Sequence, residues 1–413
     1  MTAKPHKPPH PAVYLVLYLP YGAAGGYVTI SLAWLLSHAG ASVAAVAGLA
    51  GMVLLPNTWK VLWAPLIDTT LTSKTWYAIG IVLTGASLAA IGLMPLETGL
   101  LPAFGAMALT ASLASTLSAM AAERFMAFDT PDHEKGRAAG WSQAGNLGGT
   151  GLGGGAGLWL AVHSGHPWTA GVTLALISAA CMWPLVLLRE PGRMKGASRT
   201  YFSVIAETGR DVWSLVRTRI GLLACFICLL PIGTGGVQQL WAAIAKDWGA
   251  DADQVALAGG LLSGLVSIPG AVAGGYLADR MDRKLAYALF GVASALTAVA
   301  MAVGPRTPLA FLLFASLYNL IIGFCYGGYA AVTLEAIGKG AAVTKYNLVS
   351  SISNVPILVV TEIDGWAATQ WGSGAMLWVE AGLGVVGVVF YVLVARSTRG
   401  LTWKKLFPGP GVV

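Results

Sequence analysis

Long uncharged stretches dominate this sequence and restrict the folds that it can adopt. Twelve apolar segments each come close to, or exceed, the roughly 20 residues that a helix needs to cross the hydrocarbon core of a bilayer. A helix satisfies its own backbone hydrogen bonds, which lipid cannot do for it. We therefore predict an all-α polytopic membrane protein with 12 transmembrane helices. The segments are 12–36, 42–67, 75–95, 99–121, 138–162, 168–188, 220–242, 254–278, 285–303, 308–333, 346–366 and 374–395.

The charge content excludes a soluble protein. Only 10% of the 413 residues are charged and 56% are hydrophobic, whereas a soluble domain carries about 25% charged residues. The net charge is +7, but its basic residues are spread over the loops between the apolar segments. We expect these residues to contact anionic lipid head groups, so we expect a lipid bilayer as partner and no nucleic acid.

The basic residues also predict the orientation. If the N-terminus is cytoplasmic, the external loops contain only Lys246 and Arg306 among the 25 Lys and Arg. Cytoplasmic loops of membrane proteins are enriched in these residues, so we predict that both termini are cytoplasmic. Residues 1–11 are polar and proline-rich, without the apolar region of a signal peptide.

The sequence divides into two similar halves. The longest predicted cytoplasmic connection, 189–219, separates a six-helix bundle at 1–188 from a second one at 220–413. Asp68 and Asp279 occupy equivalent positions, since each ends a glycine-rich, proline-containing helix at a cytoplasmic turn. Internal repeats with a binding site between them are typical of secondary transporters.

Two motifs resemble those of a known family. "GGYLADRMDRK" (Gly274–Lys284) resembles the loop between helices 8 and 9 of the major facilitator superfamily, and "WKVLWAPLID" (Trp59–Asp68) resembles a hallmark of its AmpG-like branch. That branch includes muropeptide permeases, siderophore importers and acetyl-CoA transporters. The resemblance implies the major facilitator fold and proton-coupled import of a polar organic solute across the bacterial inner membrane. The alternative is drug or metabolite efflux by proton antiport.

The resemblance also implies a gating role for the two cytoplasmic turns. In the family these loops hold the two halves together in one conformation and release them in the other. We expect Asp68 and Asp279 to act in this way, with Arg280 and Arg283 beside the second carboxylate. The alternative is an ordinary solvated turn, and at position 69 this chain has Thr where the branch usually has Arg.

Lys60 lies inside an apolar segment, about 12 Å deeper than Asp68 at about 1.5 Å per residue. It either extends to the interface or faces an aqueous cavity. Uncharged polar and aromatic side chains at mid-helix positions are the other solute-binding candidates, although each could instead bond one helix to another. The full candidate set is Trp59, Lys60, Trp63, Gln143, Asn146, Gln238, Gln239, Asn319, Tyr326 and Asn354.

Glu362 and Asp364 are the candidates for proton coupling, because ionisable groups inside a membrane are usually functional. Glu380, early in the last segment, shares this property. The alternative is that the eleventh helix ends near Thr361, which would leave Glu362 and Asp364 in a wet loop.

The repeated glycines Gly145, Gly149, Gly153 and Gly157 predict close helix packing, which we expect between the halves. The six histidines lie in tails and loops, and no convergent catalytic set is present in the sequence. We therefore expect no enzyme activity, no cofactor and no metal. The resemblance implies that the proton gradient is the energy source. We expect a monomer whose partners are a small-molecule substrate and the bilayer.

Overall fold

The computed structural model describes residues 9–41, 43–191, 201–216, 229–337 and 342–397. Every regular element in these ranges is a helix, which confirms the all-α prediction. Eight of the described helices are long and apolar enough to cross a membrane, and one of these, Tyr346–Val394, contains two predicted segments. The first part of the predicted seventh segment lies outside the described residues. The count of twelve, the orientation of the termini and the domain boundaries stay predictions.

The first half, residues 9–191, contains nine helices. They are α1 Val13–Gly26, α2 Ala33–His38, α3 Val43–Trp59, α4 Ala64–Thr69, α5 Ser73–Leu93, α6 Leu101–Asp129, α7 Lys135–Gly151, α8 Gly157–His163 and α9 Trp168–Ala180. Wider π-helical turns, Tyr27–Leu32 and Leu152–Ala156, continue α1 into α2 and α7 into α8. A 3₁₀ turn, Lys60–Leu62, interrupts the chain between α3 and α4.

The rest of the described chain contains seven further helices. They are α10 Tyr201–Val216, α11 Trp241–Ile244, α12 Ala252–Gly259, α13 Leu261–Arg280, α14 Arg283–Val303, α15 Pro308–Ile337 and α16 Ala342–Ser397. Helix α10 lies within the predicted linker and packs on α4. We refer to residues 229–397 as the second half.

Helix α16 consists of two arms that meet at Gly372. This glycine has φ 85°, a left-handed conformation that interrupts the helix. Asp364 and Glu380 lie in different arms, yet a Cβ at Gly236 would lie 2.8 Å from Asp364 Oδ2 and 3.3 Å from Glu380 Oε2, so the two carboxyl groups are close together. On one straight helix they would be about 24 Å apart, so the chain must fold back at Gly372. The alternative that the eleventh helix ends near Thr361 is wrong, because helix continues past Asp364.

Short turns with capping side chains start two of the long helices. Thr72 precedes α5, and its side-chain oxygen accepts a hydrogen bond from the Thr75 amide at 3.1 Å. Asp282 precedes α14 and accepts from the Leu285 amide at 2.9 Å. Each cap satisfies an amide that the first helical turn leaves without a partner. Each of the two helices therefore begins shortly after a helix whose last turn carries Asp68 or Asp279.

Helix α7 uses glycines on two faces. A Cβ at Gly149 would lie 2.3 Å from the Leu19 carbonyl oxygen, so this face packs directly on α1 of the same half. The prediction that the repeated glycines lie between the halves is therefore wrong, because Gly145, Gly149, Gly153 and Gly157 all face residues of the first half. The other face contacts the second half, where a Cβ at Gly140 would lie 2.5 Å from the Ala271 carbonyl oxygen of α13. Residues without side chains on both faces let α7 join α1 to α13.

Candidate functional site

A cavity of about 910 Å³, including its mouth, lies between the two halves. Helices α1, α6 and α7 and the Lys60 turn form one wall, and α14, α15, α16 and the segment 230–234 form the other. We call this space the central cavity. It can hold a polar organic molecule in contact with both halves at once.

Lys60 reaches the cavity because helix is interrupted at its position. Trp59 ends α3 and Pro65 follows at the start of α4, with the 3₁₀ turn between them. The Lys60 side chain is 7% exposed, and its ammonium donates a hydrogen bond to Ser350 Oγ of α16 at 2.9 Å. This cation therefore lines the cavity and joins the two halves. Of the two predicted alternatives, the structure shows Lys60 facing a cavity and not extending to the membrane interface.

Glu123 supplies the opposite charge on the same wall. Helix α6 continues to Asp129, eight residues beyond the predicted segment end, so Glu123 is helical and only 3% exposed. Its carboxylate accepts a hydrogen bond from the Asn347 side chain of α16. The Tyr18 hydroxyl lies beside it. A buried carboxylate and a buried ammonium thus face one cavity, each bonded to an uncharged side chain of the opposite half.

Asp68 and Asp279, each near the C-terminal end of a helix, contact helix N-termini across the halves. Asp68 accepts hydrogen bonds from the Thr344 amide at 3.1 Å and the Thr344 hydroxyl at 2.9 Å, at the start of α16. Asp279 accepts from the amides of Gly136 and Arg137, both at 2.8 Å, at the start of α7. Helix N-termini carry a partial positive charge that favours carboxylates. We call these two contacts the latches.

The second latch carries additional cations. The Asp279 side chain is 1% exposed, and Arg283 Nη2 lies 2.8 Å from its Oδ1. Arg283 also contacts Glu335 at 3.3 Å, whereas Arg280 is exposed on the same turn. Both latches lie on one face of the molecule, and each runs from one half to the other. Each latch therefore joins a carboxylate of one half to a helix N-terminus of the other half.

Five predicted solute-binding residues line the cavity: Lys60, Gln143, Asn146, Tyr326 and Asn354. Gln143 is also bonded to Asn146, whose amide donates to its side-chain oxygen at 3.3 Å. Gln143 and Asn146 both face the cavity because residues three apart lie on the same face of a helix.

The other five predicted residues lie away from the cavity. Trp59 is 58% exposed, and Gln239 is exposed as well. Three bond to neighbouring helices instead: Trp63 to Thr116 at 3.1 Å, Gln238 to Ser263 at 3.1 Å, and Asn319 to the Ala258 carbonyl at 3.3 Å.

The two residues predicted for proton coupling have different surroundings. Glu362 is exposed, on a helix face that it shares with the exposed apolar side chains of Val355, Val359 and Trp366. Asp364 is fully buried and lies against Glu380. The structure therefore does not bring Glu362 and Asp364 together, and neither lines the central cavity.

Several tyrosines, in addition to Glu123, line the cavity without being predicted from the sequence. Tyr18 and Tyr21 of α1, Tyr329 of α15 and Tyr346 of α16 all line it. Tyr18 and Tyr21 are three residues apart and share a helix face, which is a signal that the sequence does contain. Tyrosine offers an aromatic surface together with a hydroxyl, so these side chains suit a solute with both apolar and polar parts.

Comparison with known proteins agrees with this architecture. The family model described as Major Facilitator Superfamily matches residues 12–361. The anhydromuropeptide permease of Escherichia coli (strain K12) is 24% identical over 363 residues, which cover 83% of this chain and 71% of the permease.

Solved transporters share the fold at low sequence identity. A variant of the E. coli fucose:proton symporter superimposes with a TM-score of 0.67 and 13% identity, covering 93% of this chain and 98% of the symporter. The proton:xylose symporter bound to 6-bromo-6-deoxy-D-glucose gives 0.67 and 16% identity, covering 96% and 98%. A human organic anion transporter gives 0.68 and 15% identity, covering 93% and 100%. By its family match and its fold, this chain belongs to the Major Facilitator Superfamily, whose members are transporters and not enzymes.

Proposed function

We propose that this protein is a secondary active transporter that imports a polar organic solute together with protons across the bacterial inner membrane. The solute class is a muropeptide, a siderophore or a chemically similar molecule. The transporter works by alternating access, in which the central cavity opens to one side of the membrane at a time. The observation that carries the proposal is the cavity between the halves, with Lys60 and Glu123 buried in its wall.

The charges in the cavity support a solute that is itself charged. An ammonium and a carboxylate removed from water are costly unless they find partners. Among the described residues, Lys60 donates to Ser350 and Glu123 accepts from Asn347. Both partners are uncharged side chains of α16, and neither charge forms an ion pair in this part of the chain. A solute carboxylate can pair with Lys60, and a solute amine or hydroxyl can donate to Glu123. The similarity to a protein named anhydromuropeptide permease supports the muropeptide class.

The latches support alternating access. Two hydrogen-bonded contacts on one face can be broken without disturbing the apolar cores inside each half, since the carboxylates and their partners lie at helix ends. Their loss would free that face to open while the opposite face closes. Rocking of two repeats about a central site is the usual behaviour of transporters with this organisation.

Uptake into proteoliposomes tests the proposal. Labelled anhydromuropeptide should accumulate when the outside is more acidic than the inside, and a protonophore should abolish this accumulation. Lys60→Gln should weaken solute binding and lower uptake, because the amide cannot pair with an anionic group. Lys246→Gln is the matched control, since Lys246 is exposed and does not line the cavity.

The outcomes separate the alternatives. Accumulation that is driven in the opposite direction would replace import by efflux through antiport. Accumulation without any response to the protonophore would contradict proton coupling. Uptake by Lys60→Gln equal to that of the parent and of Lys246→Gln would contradict the assignment of the cavity as the solute site.

A further inference from the structure

Asp364 and Glu380 form a buried carboxyl pair between the two arms of α16. The first side chain is 0% exposed and the second is 6% exposed. A Cβ built on Gly236 would lie 2.8 Å from Asp364 Oδ2 and 3.3 Å from Glu380 Oε2. Both carboxyl groups therefore face the same point of the backbone. We call these two residues the carboxyl pair.

The carboxyl pair lacks the hydrogen-bond donors that it needs. Tyr318 donates to Glu380 Oε1 at 2.6 Å. The other three oxygens, both of Asp364 and Oε2 of Glu380, have no donor among the described residues. An ionised carboxylate can only accept hydrogen bonds. The two groups can therefore bond to each other only if one of them holds a proton, which supplies the missing donor and removes one of two like charges.

The surroundings contain no cation that could replace this proton. Helix α15 contributes Tyr318 and Cys325 beside the pair, and α14 contributes Ser294 next to the Tyr318 hydroxyl. Gly236 lies beside the pair, and Val360 lies beside Gly236. Within the described part of the chain, no Lys, Arg or His forms an ion pair with either carboxyl group. A proton is thus the smallest ligand that completes the site.

Arg306, in the connection between α14 and α15, contacts other groups. Arg306 stacks on the Trp248 ring at 3.9 Å and donates to Ser373 Oγ at 2.9 Å. It therefore stabilises the connection between the two arms of α16 and not the carboxyl pair itself.

One short segment links the carboxyl pair to the central cavity. Residues 230–236, which we call the glycine segment, precede the 3₁₀ turn Val237–Leu240. Gly233 and Gly235 have φ of 58° and 74°, which glycine adopts without strain. Residues 230 and 232–234 line the cavity, whereas Gly236 touches both carboxyl groups. The same stretch of backbone thus contacts the solute site at one end and the carboxyl pair at the other.

We propose that Asp364 and Glu380 together bind one transported proton, and that the glycine segment couples its binding to the central cavity. Loss of the proton leaves two carboxylates against each other and against the Gly236 backbone, which favours a rearrangement of the segment. The segment can move because its glycines allow several backbone conformations. This inference rests on the proposed function, since it names the proton site of the proposed symporter.

The test compares uphill uptake with exchange in proteoliposomes that contain the full chain. One proton per solute allows about tenfold accumulation under a gradient of one pH unit. Glu380→Gln and Asp364→Asn each provide a permanent N–H donor in place of the proton. Both variants should exchange labelled for unlabelled anhydromuropeptide as the parent does, yet reach an inside-to-outside ratio of one. Glu97→Gln, an exposed carboxylate of the first half, is the matched control and should still accumulate solute.

Infrared spectroscopy provides a readout that does not depend on transport. The parent should show a carbonyl stretch of a protonated, buried carboxyl group at neutral pH, and Glu380→Gln or Asp364→Asn should remove it. Gel filtration of each variant in detergent checks its folding. If both variants fail to fold, the parent's band still decides, because a parent without any protonated buried carboxyl overturns the inference.

Failure of the inference and failure of the proposed function give different results. If the parent accumulates solute with protons and both carboxyl-pair variants do the same, the inference is wrong and the function stands. If Glu362→Gln abolishes uphill uptake while the pair variants do not, the proton site is the exposed carboxylate. If the parent exchanges solute but never responds to a pH gradient, the proposed proton coupling itself is wrong.

Discussion

Replacement of Asp279 by asparagine should open the face of the molecule that the latches close. Asp279 accepts backbone hydrogen bonds through both of its oxygens, from Gly136 and Arg137 at 2.8 Å each. Asparagine keeps one acceptor oxygen, but its amide group presents hydrogens to the second backbone N–H. The change therefore removes one charge-assisted bond and leaves one buried donor without a partner.

The expected magnitude follows from this loss. A hydrogen bond to a charged group contributes about 1.5–3 kcal/mol, so we expect the closed state to lose about 2 kcal/mol. That corresponds to a change of about 30-fold in the ratio of closed to open molecules. We expect no larger loss from Arg283, because this side chain keeps Glu335 as a partner at 3.3 Å when the Asp279 charge is removed.

Distances between spin labels can measure this shift. Leu71 and Met281 are exposed on turns of opposite halves beside the two latches, so cysteines there can carry labels. Asp279→Asn should add a population with a longer distance between them. Asp282→Asn is the matched control, because Asp282 caps α14 within its own half by accepting from the Leu285 amide. Identical distance distributions for Asp279→Asn, Asp282→Asn and the parent would refute the reasoning.

Three further changes have defined outcomes. Asp68→Asn should also lengthen the distance between these labels, but less than Asp279→Asn, because a hydroxyl supplies one of the two bonds to Asp68; an unchanged distance would remove it from the latch. Gly275→Ala should open the same face by about 1–3 kcal/mol, since its Cβ would lie 2.2 Å from the Gly136 carbonyl oxygen; the same label pair checks this. Ser350→Ala should lower solute affinity about fivefold in equilibrium binding, because Lys60 loses a bond worth about 1 kcal/mol; unchanged affinity would contradict it.

The sequence contained enough information for the fold and for part of the site. Long apolar segments predict membrane helices because backbone groups must be satisfied within the lipid. Lys60 could be named as a candidate cavity residue, because a charge at its depth in the membrane needs a polar environment. Asp68 and Asp279 could be paired by their equivalent places in the two halves. All three arguments depend on local sequence and on the properties of the bilayer.

The rest of the site depends on how helices are rotated and where they are interrupted. Polar residues at the same depth have different partners: Asn354 lines the cavity, whereas Asn319 bonds to the Ala258 carbonyl. A regular helical period cannot distinguish them, because π turns and the break at Lys60–Leu62 change which face points inward. Asp364 and Glu380 meet only because the chain turns back at Gly372 and the two arms pack together.

The two faces of α7 illustrate the same limit. Its glycines predict close packing, but nothing in their spacing tells which neighbour each face will contact. Gly149 lies against α1, and Gly140 lies against α13. The partner is decided by the arrangement of the two bundles, which is a property of the whole chain.

Side-specific labelling of one cavity residue tests alternating access most directly. Ser353 lines the central cavity, so a cysteine there, in a chain without its native cysteines, can react with a membrane-impermeant maleimide. With the latches intact, we expect reaction only from the side opposite Asp279; with Asp279→Asn, reaction should occur from both sides. Reaction from the Asp279 side in the parent, or the same labelling pattern in both proteins, would contradict a cavity that opens to each side in turn.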